Sequence, residues 1–102
     1  MATTYTLISS NTLSSSASSV TFSSIPSTYT DLVLKVSARG DGVSALYLMA
    51  QFNSTTTGYS NTNLYGDGAS AYSSSNTITN AVFAGSLDGA SQTASTFINT
   101  EI

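Results

Sequence analysis

The 102 residues include two Lys or Arg against five Asp or Glu, for a net charge of −3, and no cysteine or histidine. That inventory excludes disulfide frameworks, most zinc sites, Ser-His and Cys-His nucleophile pairs, and the basic patch that a phosphate binder requires. Charged residues make up 7% of the chain, against about 25% in ordinary proteins, so its 21 serines and 16 threonines must solvate the surface instead.

Hydroxyl-rich, weakly charged chains are often disordered, but such chains lack aromatic and β-branched residues. This one has six Tyr, four Phe and 40% hydrophobic content. The length predicts one domain over residues 1–102. The longest apolar run, Ala45 to Ala50, is too short to cross a bilayer. Met1 to Tyr5 shows neither a basic n-region nor an apolar h-region, which predicts use without Sec export or as a mature fragment.

Along the chain the dominant period is two. Weak strands are predicted at Thr3–Ser9 and Ser19–Ser24, the second with Val20, Phe22 and Ser24 on one face. Asn11–Ser19 between them reads as a serine-rich connection. Pro26 falls between strands, where its missing N–H costs no ladder bond. Leu32, Leu34, Val36 and Ala38 alternate with Asp31, Val33, Lys35 and Ser37, which predicts a half-buried strand. Ser44–Phe52 alternates again, with Leu46, Leu48, Ala50 and Phe52 opposite Ala45, Tyr47, Met49 and Gln51. Both its faces are apolar, which predicts the middle of a sheet or an oligomer contact. Ser54–Ser75 reads as a long loop holding a short strand around Asn63-Leu64-Tyr65. Weaker strands follow at Thr77–Ala84 and Ala94–Ile102. No segment keeps helical spacing for ten residues, so no substantial helix is predicted. The expected class is all-β: an antiparallel β-sandwich or barrel of short strands.

One pattern repeats: Asp41-Gly42-Val43-Ser44, Asp67-Gly68-Ala69-Ser70 and Asp88-Gly89-Ala90-Ser91. Asp-Gly is a favoured hairpin turn because both positions tolerate positive φ, and each copy is read as a turn. The rival is calcium, but each Asp lacks a carboxylate neighbour within four residues, unlike a D-x-D-x-D-G loop. An enzyme reading, such as a glycosidase, would need two of Asp31, Asp41, Asp67, Asp88 and Glu101 facing each other across a cleft.

Two groups of side chains are candidates for binding. Lys35 and Arg39 hold all the positive charge on one strand face, about 13 Å apart at ~3.3 Å per residue. They read as a solvated face or as a contact for an acidic partner subunit, with Tyr47 and Met49 as further subunit-contact residues. Tyr59, Asn61, Asn63, Tyr65 and Asp67 form the second group. Aromatic faces stack on sugar rings while Asn and Asp hydrogen-bond hydroxyls, so this stretch suits a glycan or a protein contact, or is an ordinary surface loop. No cofactor, metal, nucleic acid or membrane is expected.

The stretch Thr4–Gly40 resembles the opening of small β-rich virion structural proteins of tailed phages. The likeness lies in Tyr5-Thr6-Leu7-Ile8, Ser14–Ser19 and above all Val20–Leu34 (VTFSSIPSTYTDLVL). Gln51-Phe52-Asn53, Gly58-Tyr59-Ser60 and Gly66-Asp67-Gly68 are similar to later parts of the same family. The resemblance implies a jelly-roll-like sandwich and a non-enzymatic role in the virion, either decorating or cementing the capsid or forming part of a tail fibre or appendage. It implies other virion proteins as partners; the two apolar faces of Ser44–Phe52 add the expectation of a homo-oligomer, a trimer as the working guess. The alternative is a carbohydrate-binding adhesive module contacting a host-surface glycan. Such proteins usually continue for more strands, whereas Glu101-Ile102 falls inside a strand pattern. The expectation is a shortened chain or partner strands that complete the sheet.

Overall fold

The computed structural model describes residues 4–44, 46–66, 68–76 and 78–102. Contacts divide the chain into two units, Met1–Val33 and Leu34–Ile102. In the first, the described residues form bends and a turn but no strand, and every one but half-buried Phe22 is exposed. The strands expected at Thr3–Ser9, of which Thr3 lies outside the described residues, and at Ser19–Ser24 are therefore not formed among the described residues. Alternation prepares a segment for a sheet, but a neighbouring strand must supply the ladder.

The second unit holds six strands: β1 (Lys35–Ala38), β2 (Leu46–Ala50), β3 (Asn61–Gly66), β4 (Ala71–Asn76), β5 (Val82–Leu87) and β6 (Ile98–Glu101). The described residues are all-β with no helix, so none has a helix long and apolar enough to cross a membrane. The pairing is nested and antiparallel throughout: β1 with β6, β2 with β5, β3 with β4. Together they trace one two-stranded ribbon, with the β3–β4 hairpin at its tip.

Alternation governs the ladders, but over shorter strands than expected: Asp31, Leu32 and Val33 stay exposed outside β1, and Phe52 outside β2. Leu34, Val36 and Ala38 are half-buried while Lys35 and Ser37 are exposed. Val36 faces Thr100 across the ladder and Ala38 faces Ile98. The pairing extends one residue beyond β1, because Leu34 and Ile102 exchange both backbone bonds at 2.8 and 2.9 Å. In β2, Leu46, Leu48 and Ala50 are half-buried, and Tyr47 and Met49 lie on the exposed face. The register shifts between Leu48, opposite Gly85, and Met49, opposite Phe83, so Ala84 is an extra residue on β5. Gly85 has φ 148°, and a Cβ there would lie 3.0 Å from the Thr100 hydroxyl. Glycine thus relieves the backbone and lets β6 approach β5.

The ribbon bends at two corners, where its two connections run side by side. At the first, Gly40 N–H donates to Asp88 O at 2.8 Å and Ala90 N–H to Gly42 O at 2.6 Å, while the Ser91 hydroxyl donates to Val43 O. Two of the three Asp-Gly repeats therefore lie against each other. This corrects their reading as hairpin turns: β1 and β2 pair with different partners, and so do β5 and β6. The repeat at 67–70 alone links paired strands, because Gly66 lies opposite Ala71. Its Asp67 lies outside the described residues.

At the second corner, Tyr59 N–H donates to Thr79 O at 3.1 Å and the Gln51 amide to Asn80 O at 2.8 Å. A tight turn precedes it: Thr55 N–H donates to Phe52 O at 2.9 Å, with Asn53 and Ser54 both at positive φ (52° and 57°). The expected loop over 54–75 instead holds all of β3 and most of β4. Thr62, Leu64, Tyr65, Gly66 and the residues of β4 from Ala71 to Ser75 are exposed, so no buried face imposes a hydrophobic alternation on this hairpin.

Candidate functional site

The candidate residues separate into those that hold the corners and those that stand open to a ligand. Arg39 belongs to the first set. It leaves β1 half-buried, and its guanidinium lies over the loop that follows β5. Nη2 reaches Gly89 O at 2.8 Å and Gln92 O at 3.0 Å, and Nη1 reaches Thr93 O at 2.7 Å and Thr96 O at 3.2 Å. Planar Arg presents its donors as a fixed fan, which suits a curved row of carbonyls. Thr96 completes the arrangement, its hydroxyl 3.1 Å from Nη1 and 3.2 Å from Asp88 Oδ2. Lys35, on the same strand, instead forms a 3.1 Å ion pair with Glu101 across the β1–β6 ladder. The two cations thus have different surroundings: one carries exposed charge and the other organises the first corner.

The Tyr59–Asp67 group divides in the same way. The Tyr59 hydroxyl accepts the Phe52 N–H at 2.9 Å and anchors the tight turn. The Asn61 amide nitrogen donates to Ile78 O and Ala81 O, both at 3.1 Å, and its oxygen accepts Phe83 N–H at 2.8 Å. Asn61 therefore ties β3 to the start of β5, beside Ala81, the one hydrophobic residue among those described that is buried.

Asn63 and Tyr65, further along β3, do something different. Together with Tyr47 of β2 they line an open groove of ≈ 720 Å³ between the β3–β4 hairpin and the exposed face of the β2–β5 ladder. Two groups of residues that were separate in the sequence, the ligand stretch and the subunit-contact face, contribute to this one feature. Thr62, Leu64, Ser74, Phe83 and Ser86 are the other described residues of its lining. The Tyr47 and Phe83 rings meet edge to face at 5.5 Å, and Tyr65 stacks on Tyr72 across the hairpin at 5.2 Å. Phe83 was legible only as part of an apolar strand, and nothing in the sequence distinguished Ser74 or Ser86 from other serines.

Among the described residues, the groove lining carries no Asp, Glu, Lys or Arg, so what they offer is aromatic and aliphatic surface, hydroxyls and an amide. A second, shallower depression of ≈ 350 Å³ runs along the β1–β6 ladder beside Lys35 and Glu101. Among the described residues, no group of three or more His, Cys, Asp or Glu could hold a metal ion. Comparison with protein-family models, curated proteins and solved structures finds no match.

Proposed function

We propose that this chain is a non-enzymatic structural protein of a tailed-phage particle, decorating or cementing the capsid or forming part of a tail fibre or appendage. The observation that carries the reading is the exposure of its apolar side chains. Leu7, Leu13, Val43, Leu64 and Phe97 each keep more than half of their surface in water, and Ala81 alone among the described hydrophobic residues is buried. Exposed apolar area costs about 25 cal/mol per Å² relative to burial, and isolated two-stranded ladders are marginal in water. Assembly with copies of itself and with other virion proteins relieves both costs.

Two further features support the proposal. Nested antiparallel pairing is the order produced when a two-stranded ribbon winds on itself, as in the jelly rolls common in viral capsids; we take the complete assembly to be a jelly-roll-like sandwich. The resemblance over Val20–Leu34 points to the same class. The test is light scattering of the purified protein together with cosedimentation with phage capsids and tails. An oligomer that binds one of these supports the proposal; a stable monomer that binds neither overturns it.

A further inference from the structure

The groove between the β3–β4 hairpin and the β2–β5 ladder has a chemistry that the structural role does not require. Tyr47 is 63% exposed although it touches Phe83, because the edge-to-face contact leaves a ring face open. Asn63 shares the lining with it and has an amide that both donates and accepts, Thr62, Ser74 and Ser86 add hydroxyls, and Leu64 adds aliphatic surface. The volume of ≈ 720 Å³ falls within the roughly 300–1,000 Å³ of small-molecule sites.

From this arrangement we infer that the groove is a binding site for a neutral oligosaccharide. A sugar ring presents an apolar C–H face that stacks on an aromatic ring, and a rim of hydroxyls that pair with amide and hydroxyl groups. Tyr47 supplies the platform, and Asn63, Ser74 and Ser86 supply the rim contacts. The described lining residues carry no charge, which favours a neutral sugar over an acidic one. The inference does not depend on where the protein sits in a particle.

The test titrates the full chain with neutral trisaccharides of glucose, galactose and N-acetylglucosamine, followed by calorimetry. One of them should bind saturably with a Kd of about 1 mM or tighter. Tyr47→Ala should weaken binding at least tenfold with an unchanged circular dichroism spectrum, and Phe52→Ala, outside the groove, should leave it unchanged. Tyr47→Trp places the only indole of the chain at the site, so its emission should shift on binding even if the alanine variant does not fold. No saturable binding of any of the three sugars overturns the inference, as does binding that Tyr47→Ala leaves intact or a Tyr47→Trp emission that does not respond. So does a Tyr47→Ala variant that alters only the oligomeric state, because the groove then belongs to a second copy of the chain.

Discussion

The guanidinium of Arg39 lies 2.8 Å from the carbonyl oxygen of Gly89, fifty residues further along the chain. The contact joins the two strands of the ribbon where both change direction, and makes a surface-type residue into an internal support. Replacing Arg39 with Lys keeps the charge but loses the planar fan of donors. Arg39→Lys should lower the unfolding free energy by about 1–3 kcal/mol, in the range for hydrogen bonds to charged groups. Hydrogen exchange should show the amides of Ala90 and Gln92 losing protection before those of β2.

Gly89 is the second support of the same corner. A methyl group there would run into the backbone carbonyl oxygens of Ser44 and Gly42, and backbone cannot give way as a flexible side chain can. Gly89→Ala should destabilise the protein by more than about 2 kcal/mol, at the upper end of ordinary single substitutions. The control is Ala90→Gly at the neighbouring exposed position, expected to shift the urea midpoint far less. Equal midpoints for the two variants would remove the steric argument.

Asn61 is the corresponding support at the second corner. Its side chain makes three hydrogen bonds to the backbone, each worth about 0.5–1.5 kcal/mol net. Asn61→Ala should therefore cost about 2 kcal/mol in chemical denaturation, whereas Asn63→Ala on the same strand should cost much less. The pair distinguishes an asparagine that builds the fold from one that faces the groove.

Ser54 offers a change in the opposite direction. It follows Asn53 in the turn closed by Thr55 and Phe52, and both central residues have positive φ. That is the type I′ geometry, for which Asn-Gly is the preferred pair. Ser54→Gly should raise stability by about 0.5–1 kcal/mol, read as a higher melting temperature. A lower melting temperature would mean that the turn has another conformation in solution.

Much of the inner ribbon could be read from the amino acids, and the failures have identifiable causes. β1 and β2 were legible because one face of each is half-buried, so Val36 and Leu48 alternate with Lys35 and Tyr47. β4 was not, because Ala71 to Ser75 are all exposed and carry no apolar stripe to betray the strand. The Asp-Gly pairs at 41–42 and 88–89 were recognisable as changes of direction, but local sequence does not say which strands such a bend joins. That is set by long-range pairing, as between Gly40 and Asp88. At the groove, Tyr65 and Asn63 were identified by residue type, while Phe83 and Ser86 joined them only through the register of β5 on β2.

Under the proposed function, the Lys35–Glu101 pair offers a test of assembly rather than of folding. Both side chains are largely exposed (69% and 60%), and exposed ion pairs contribute about 0–1 kcal/mol. Lys35→Glu should lower the melting temperature by no more than about 4–8 °C, yet abolish binding to an acidic partner surface in cosedimentation at low salt. Reversing Arg39 as well would confuse the outcome, because that residue holds the first corner. Partner binding unchanged by Lys35→Glu would discard this face as the contact.

The nested pairing also dictates an order of events as the chain folds. The β3–β4 hairpin closes over a few residues, whereas a direct encounter of Lys35 with Glu101 must close a loop of most of the second unit. Loop-closure entropy makes the short loop the cheaper start, and each rung formed brings the next two segments close enough to meet. The ribbon is thus expected to zip from its tip outward, with the Leu34–Ile102 rung last to form and first to fray. Substitutions near Tyr65 and Tyr72 should then slow folding, while those near Val36 and Thr100 should mainly speed unfolding.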